Sequence, residues 1–246
     1  MAQNSKVRDA RRRLIVALDY ARLSLALEMA RRLADTAALF KVGSQLFTAE
    51  GPAGIEKLSA LGSGIFLDLK FHDIPNTVAG AVASAAALPG VEIVNVHALG
   101  GAAMLRAAVS AARASASRPK LIAVTILTSH DAASLRRVGV AGSPASRVLK
   151  LGRLAQRCGL AGVVCSPREV AALRRACGEK FLLVVPGIRS VGASADDQAR
   201  TAAPAQAIRN GADYLVVGRP VTSAADPAAA ARAIVEEISI GLRTRN

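Results

Sequence analysis

The chain of 246 residues has no tryptophan, two tyrosines, five phenylalanines and three cysteines. With so few rings, and none interleaved with the basic residues, there is no platform on which nucleic-acid bases would stack. Cys158, Cys165 and Cys177 are odd in number and form no C-x-x-C pair. Reduced thiols in a cytoplasmic protein are therefore expected, with neither a disulfide framework nor a zinc site. No apolar run reaches the roughly 18 residues of a membrane-spanning helix. Leu14 to Leu18, closed at once by Asp19, is too short for the apolar part of a secretion signal. Walker A and H-E-x-x-H motifs are missing, and Gly62-Ser63-Gly64 precedes a strand pattern where a dinucleotide fingerprint would follow one. His72, His97 and His130 are too scattered to suggest a metal triad.

Acidic residues are also scarce, 18 against 32 Lys and Arg, which gives a net charge of +14. Most of the arginines lie in pairs along helical stretches, as in Arg31-Arg32, Arg136-Arg137 and Arg174-Arg175; only Arg8 to Arg13 forms a compact cluster. That distribution describes solvated helix faces, so neither a nucleic-acid nor a membrane partner is expected. A basic surface would still steer a small anionic molecule toward the protein.

What is present is alternation. Short apolar runs at Leu14–Leu18, Leu39–Val42, Ile65–Leu69, Ile93–Val96, Leu121–Leu127, Gly162–Cys165, Phe181–Val185 and Tyr214–Val217 are separated by Ala- and Arg-rich helical stretches. Helices are expected at Leu23–Leu33, Thr77–Leu88, Met104–Ala114, Ser146–Cys158, Glu169–Ala176 and Pro227–Ile240. Asp226 caps the last of them, with Pro227 at its first position. Strands alternating with helices make parallel βαβ units, and eight in this length predict an α/β protein, a (β/α)8 TIM barrel. A doubly wound open sheet is the competing arrangement. No Pro-rich linker divides the chain. One catalytic domain is expected over residues 13–246, preceded by a flexible basic tail over residues 1–12.

In such a barrel, chemistry belongs at the carboxyl ends of the strands. Asp19, Lys41, Asp68, Lys70, Asp73, Asn95, His97, Thr128, Ser129, Arg189 and Arg219 all fall there. The segment Phe66-Leu67-Asp68-Leu69-Lys70-Phe71-His72-Asp73 is the most informative. Strand alternation puts Asp68 and Lys70 on one face, and ionised groups on the inner face of an apolar strand need partners or a catalytic task. The last two loops, Pro186-Gly187-Ile188-Arg189 and Val217-Gly218-Arg219-Pro220, each place a Gly and an Arg past a strand. This suits a phosphate, approached by backbone amides and gripped by a guanidinium fork. Ser190 to Gln198, small and polar, suits a mobile lid.

Taken in order, Val16-Ala17-Leu18-Asp19, Lys41-Val42-Gly43, Phe66 through Pro75, Val94-Asn95-Val96-His97, Leu127-Thr128-Ser129, Val163 through Ser166, Pro186 through Arg189, Asp197-Gln198 and Val216 through Arg219 resemble the orotidine 5'-phosphate decarboxylase family. The likeness spans nearly the whole chain. Its D-x-K-x-x-D element is shared with a wider barrel superfamily, but the ordered set is specific.

The resemblance implies a cofactor-free, metal-free decarboxylation yielding UMP in pyrimidine biosynthesis, and a homodimer. Lys41, Asp68 and Lys70 would join Asp73 of a second subunit in a Lys–Asp–Lys–Asp network, with Lys70 donating the proton to C6. Asp19 and Lys41 would hold ribose hydroxyls, with Asp73 and Thr77 from the neighbour. The neighbouring Leu69, Phe71, His72, Ile74, Pro75 and Asn76 would complete that binding segment. Thr128 would lie near the pyrimidine, and Arg189, Gln198, Gly218 and Arg219 would close on phosphate and base. Val185 and Asn76 depart from the usual family residues without removing a charged group. Within the superfamily, Mg2+-dependent sugar-phosphate enzymes are the alternative; Lys41 stands where they place a carboxylate and would repel a divalent cation. A basic RNA-associated barrel without activity would be expected to have lost part of the charge network, which is complete here.

Overall fold

In a computed structural model, whose described residues are 2–189 and 202–244, the apolar runs become eight parallel strands. They are β1 (Leu14–Ala17), β2 (Leu39–Gly43), β3 (Gly64–Phe71), β4 (Val91–His97), β5 (Lys120–Val124), β6 (Gly162–Val164), β7 (Leu182–Val185) and β8 (Tyr214–Val217). Each pairs with its sequence neighbours, and β8 returns to β1, so the barrel is closed. The helices are α1 (Ala2–Arg13), α2 (Leu23–Leu33), α3 (Ser44–Ser59), α4 (Pro75–Ala87), α5 (Gly101–Ala114), α6 (Ala132–Arg137), α7 (Pro144–Arg157), α8 (Val170–Cys177), α9 (Pro204–Arg209), α10 (Arg219–Thr222) and α11 (Pro227–Arg243). A strand edge left open would expose unpaired amides and carbonyls; closure removes it, and the doubly wound alternative with it.

The two faces of each strand bury different cores. Outward residues such as Leu14, Val16, Phe40, Val42, Ile65 and Leu67 meet the helices in a continuous apolar layer. Inward, Ile15, Ala17, Leu39, Phe66, Ile93, Ile122, Val184 and Val216 fill the barrel interior. Alternation then dictates what stands one layer higher. Two residues after Leu39 comes Lys41, after Phe66 comes Asp68, after Ile93 comes Asn95, and after Ala17 comes Asp19. An apolar plug is thus topped by a polar layer at the carboxyl ends.

The amino-terminal segment differs from expectation. Residues 2–13 form α1, which packs against α11. Ala10 is fully buried in the outer core, and that burial holds the segment against the barrel. Ser44 to Ser59 is also helical, though Gly51 at φ 62° followed by Pro52 interrupts it. The cap of the last helix is as expected: Asp226 accepts from the Ala229 amide at 3.0 Å, and Pro227 follows.

Candidate active site

A cavity of about 480 Å³ opens at the carboxyl ends of the strands. Its walls carry Asp19, Lys41, Asp68, Lys70, Thr128, Arg189, Gly218 and Arg219, over a floor that includes Phe66, Val124, Val164 and Val216. The floor is the upper surface of the interior core, and the walls are the polar layer above it.

The charges form a chain of contacts. Lys41 Nζ is 2.8 Å from Asp19 Oδ1 and 3.4 Å from Asp68 Oδ2, and Lys70 Nζ is 2.7 Å from Asp68 Oδ1. The side chains of Lys41 and Asp68 are only 11% and 12% exposed. Burial of either charge alone would be costly, and each is compensated by the others. Gly43 leaves them room: a Cβ there would stand 3.0 Å from Lys41 Nζ and 3.3 Å from Asp19 Oδ1.

Asp68 and Lys70 do meet, yet simple strand alternation does not bring them together. Lys70 has φ 52°, the left-handed region, one of two non-glycine residues there among those described. Such a conformation costs on the order of 1–3 kcal/mol. The ladder between β3 and β4 is broken at the same place: Leu67 pairs with Val94 and Phe71 with Val96, so Asp68, Leu69 and Lys70 stand opposite the single Asn95. This is a bulge at a site. Asn95 spans it, its Oδ1 accepting the Lys70 amide at 2.8 Å and its Nδ2 donating to Asp68 Oδ1 at 2.6 Å.

Beyond Lys70 the chain leaves the cavity. Leu69 and Phe71 turn outward against the outer core. His72 stacks on His97, with ring centroids 5.2 Å apart. Burial, then the nearby His72 and Lys70, push the His97 imidazole down to about 4. Residues 72 to 77 are exposed, and Ile74 is 66% exposed. Asp73 accepts the neighbouring Ile74 amide at 2.6 Å and, among the described residues, pairs with no cation of its own chain. Asp73, Ile74, Pro75, Asn76 and Thr77 therefore do not line the cavity of a single chain; they form a strip on its rim.

At the other side, Gly187 has φ 76°, which favours glycine. The Arg189 amide donates to Ala202 at 3.1 Å and the Ala202 amide to Gly187 at 3.3 Å. These bonds join the two ends of the segment that contains Gln198; Gln198 and the expected lid, Ser190 to Gln198, lie outside the described residues. Cys165 lines the cavity, but burial pushes its thiol up and away from reactivity.

Residues 12–234 match the model of the Orotidine 5'-phosphate decarboxylase / HUMPS family. The chain belongs to this family. Orotidine 5'-phosphate decarboxylases of Halorhodospira halophila and Nitrosococcus oceani are 54% and 52% identical to it over 227 residues, 92% of this chain and 96% and 97% of theirs. The crystal structure of orotidine 5'-phosphate decarboxylase from Lactobacillus acidophilus superposes with a TM-score of 0.82 at 41% identity, covering 92% of this chain and 99% of that one. An uncharacterized conserved protein from Geobacillus kaustophilus has the same architecture, with a TM-score of 0.79 at 38% identity over 92% of this chain and 99% of its own.

In the sequence, Asn95 stands at a strand end with no task attached to it. The signal was available: Ile93 and Asn95 share a face, and an amide one layer above the interior core, beside two charges, needs partners. The apolar floor was equally open to this reasoning.

Proposed function

We propose that this protein decarboxylates orotidine 5'-phosphate to UMP and CO2. The observation that carries this reading is the cation pair Lys41 and Lys70 held on either side of Asp68 at the mouth of an apolar-floored cavity. The family includes enzymes of other sugar phosphates, and Lys41 separates the readings. Its ammonium, 3.4 Å from Asp68, fills the space beside that carboxylate where a divalent cation would bind.

Cleavage of the C6–carboxylate bond releases CO2 and leaves an electron pair in the plane of the pyrimidine, out of reach of its π system. The chain supplies a fixed ammonium for that pair. Lys70 Nζ, oriented by Asp68, stabilises the charge as it forms and then gives C6 a proton, to be restored from water. Asp68 near the substrate carboxylate disfavours the ground state, a smaller contribution than the preorganised charge. Asp19 and Lys41 hold the ribose hydroxyls, Thr128 lies beside the pyrimidine, and Arg189, Gln198, Gly218 and Arg219 take the phosphate and base. Binding energy gained at the phosphate, away from C6, is then available for the transition state.

Asp73 completes the network from a second copy of the chain, with Thr77 beside it, so the working unit is a homodimer, in the cytoplasm. The exposed strip from His72 to Thr77, with Ile74 at its centre, supports this.

Ultraviolet loss of orotidine 5'-phosphate in EDTA-treated buffer tests the reading. Wild type is expected to convert it to UMP, and Lys70→Ala to lose about 10²–10³-fold, the cost of removing a preorganised donor. A folded wild type that leaves the nucleotide unchanged would refute the assignment.

A further inference from the structure

We infer that Asn95 is a positioning residue of this reaction, whose amide fixes both the Asp68 carboxylate and the backbone of Lys70. The inference rests on the functional reading above and deepens it. Asn95 is fully buried on β4, one layer above Ile93, and has no access to solvent. Its two partners set its orientation. The Lys70 amide can only donate, so the carbonyl oxygen faces it; the Asp68 carboxylate accepts, so the NH2 group faces that.

The two bonds act on different failings of the site. In the bulge, Lys70 has lost its ladder partner and holds a left-handed conformation. Asn95 Oδ1 replaces the missing carbonyl, which keeps the turn that sends the Lys70 side chain back over Asp68. Meanwhile Asn95 Nδ2 binds the same oxygen, Oδ1, that receives Lys70 Nζ, while Oδ2 faces Lys41. The carboxylate plane is thereby fixed, with one edge toward each lysine. Asp at position 95 would keep the acceptor and lose the donor; Leu would lose both. Asn95 stands behind Asp68 and Lys70, reaches the reaction only through them, and is not among the cavity-lining residues.

The test compares wild type, Asn95→Ala and Asn95→Asp, each first shown to be folded by circular dichroism. Asn95→Ala is expected to lower kcat about 10²-fold, the scale of a small misplacement of reacting groups, with KM little changed because the phosphate grip is untouched. Asn95→Asp, which preserves volume, sets a second carboxylate against Asp68. Its activity relative to wild type should rise as pH falls, because a shared proton restores the donor. A merely structural amide predicts no such pH signature. Hydrogen exchange at the Lys70 amide, faster in Asn95→Ala, reads the positioning without turnover.

An inactive wild type would refute the decarboxylase reading, and exchange would still decide whether Asn95 holds Lys70. With an active wild type, a folded Asn95→Ala with near-native kcat would overturn the inference. So would an Asn95→Asp activity ratio flat with pH, or an unchanged Lys70 exchange rate.

Discussion

Arg174 separates the stability of this barrel from its chemistry. Its side chain is 8% exposed, and its guanidinium is spent entirely on the amino-terminal end of the barrel. It donates to the carbonyls of Gly178, Glu179, Phe181 and Gly211 and, at 2.6 Å, to Asp213 Oδ2. Those partners lie just before β7 and β8, at the end of the strands opposite the cavity. Asp213 Oδ2 also accepts the Leu183 amide at 2.8 Å, so one carboxylate ties both strands.

Replacing Arg174 with Met keeps the volume but removes the charged donor shared by the buried carbonyls of Phe181 and Gly211 and the largely buried Asp213 carboxylate. Arg13 lies 3.9 Å from the other oxygen of that carboxylate, Oδ1. Breaking a buried pair in this way costs about 3–5 kcal/mol. At about 2–4 °C per kcal/mol for a chain of this size, Tm should fall roughly 6–20 °C. Well below the melting range, kcat and KM should match wild type, since the end of the barrel opposite the cavity serves stability and not chemistry. Thermal melts followed by circular dichroism, with initial rates on the same samples, give both numbers. Adding Asp213→Asn should cost less than its effect in the wild-type background, because the two residues share one interaction. A fall in Tm below about 2 °C, or a kcat that falls with it, would refute the reasoning.

His97 makes a pH prediction. Its imidazole lies near 6.5 when unfolded and about 4 when folded. Between those values the unfolded chain binds more protons, so stability is full above about 6.5 and declines as pH falls toward 4. After discounting for solvent screening the loss is on the order of 1–2 kcal/mol. His97 Nδ1 accepts the Leu99 amide at 3.3 Å; His97→Asn keeps an acceptor there and should flatten that part of the profile, and parallel curves for the two proteins would contradict the assignment. The proposed sharing of Asp73 between two copies of the chain predicts complementation. Lys70→Ala and Asp73→Asn are each expected to be inactive, yet after mixing and reassociation about a quarter of wild-type activity should return, from the one intact site of each hybrid. Activity no higher than that of the parents would place the whole site within one chain.

The barrel was legible because its determinants are local and repeated. Each strand carries its own apolar run, and each crossover its own helical pattern. The rim charges were legible for the same reason, being fixed in position by the strand ends they follow. Other features depend on partners distant in sequence. The helical form of residues 2–13 follows from docking Ala10 against the outer core, which a basic, Arg-rich composition hides. The helix from Ser44 to Ser59 was obscured by Gly51-Pro52. Lys70 is the sharpest case: alternation placed it beside Asp68, but the observed contact comes through a left-handed turn whose amide is met by Asn95, 25 residues on.

The surplus residues in β3 have a consequence for how such a sequence can change. A deletion that brought Asp68 through Lys70 into step with β4 would regularise the ladder and relieve the turn at Lys70. The resulting chain would be a better sheet with its ammonium aimed elsewhere. Selection for a robust scaffold and selection for turnover therefore pull this short stretch in opposite directions. In a duplicated copy freed of demand for turnover, the pull toward a regular ladder in β3 would go unopposed.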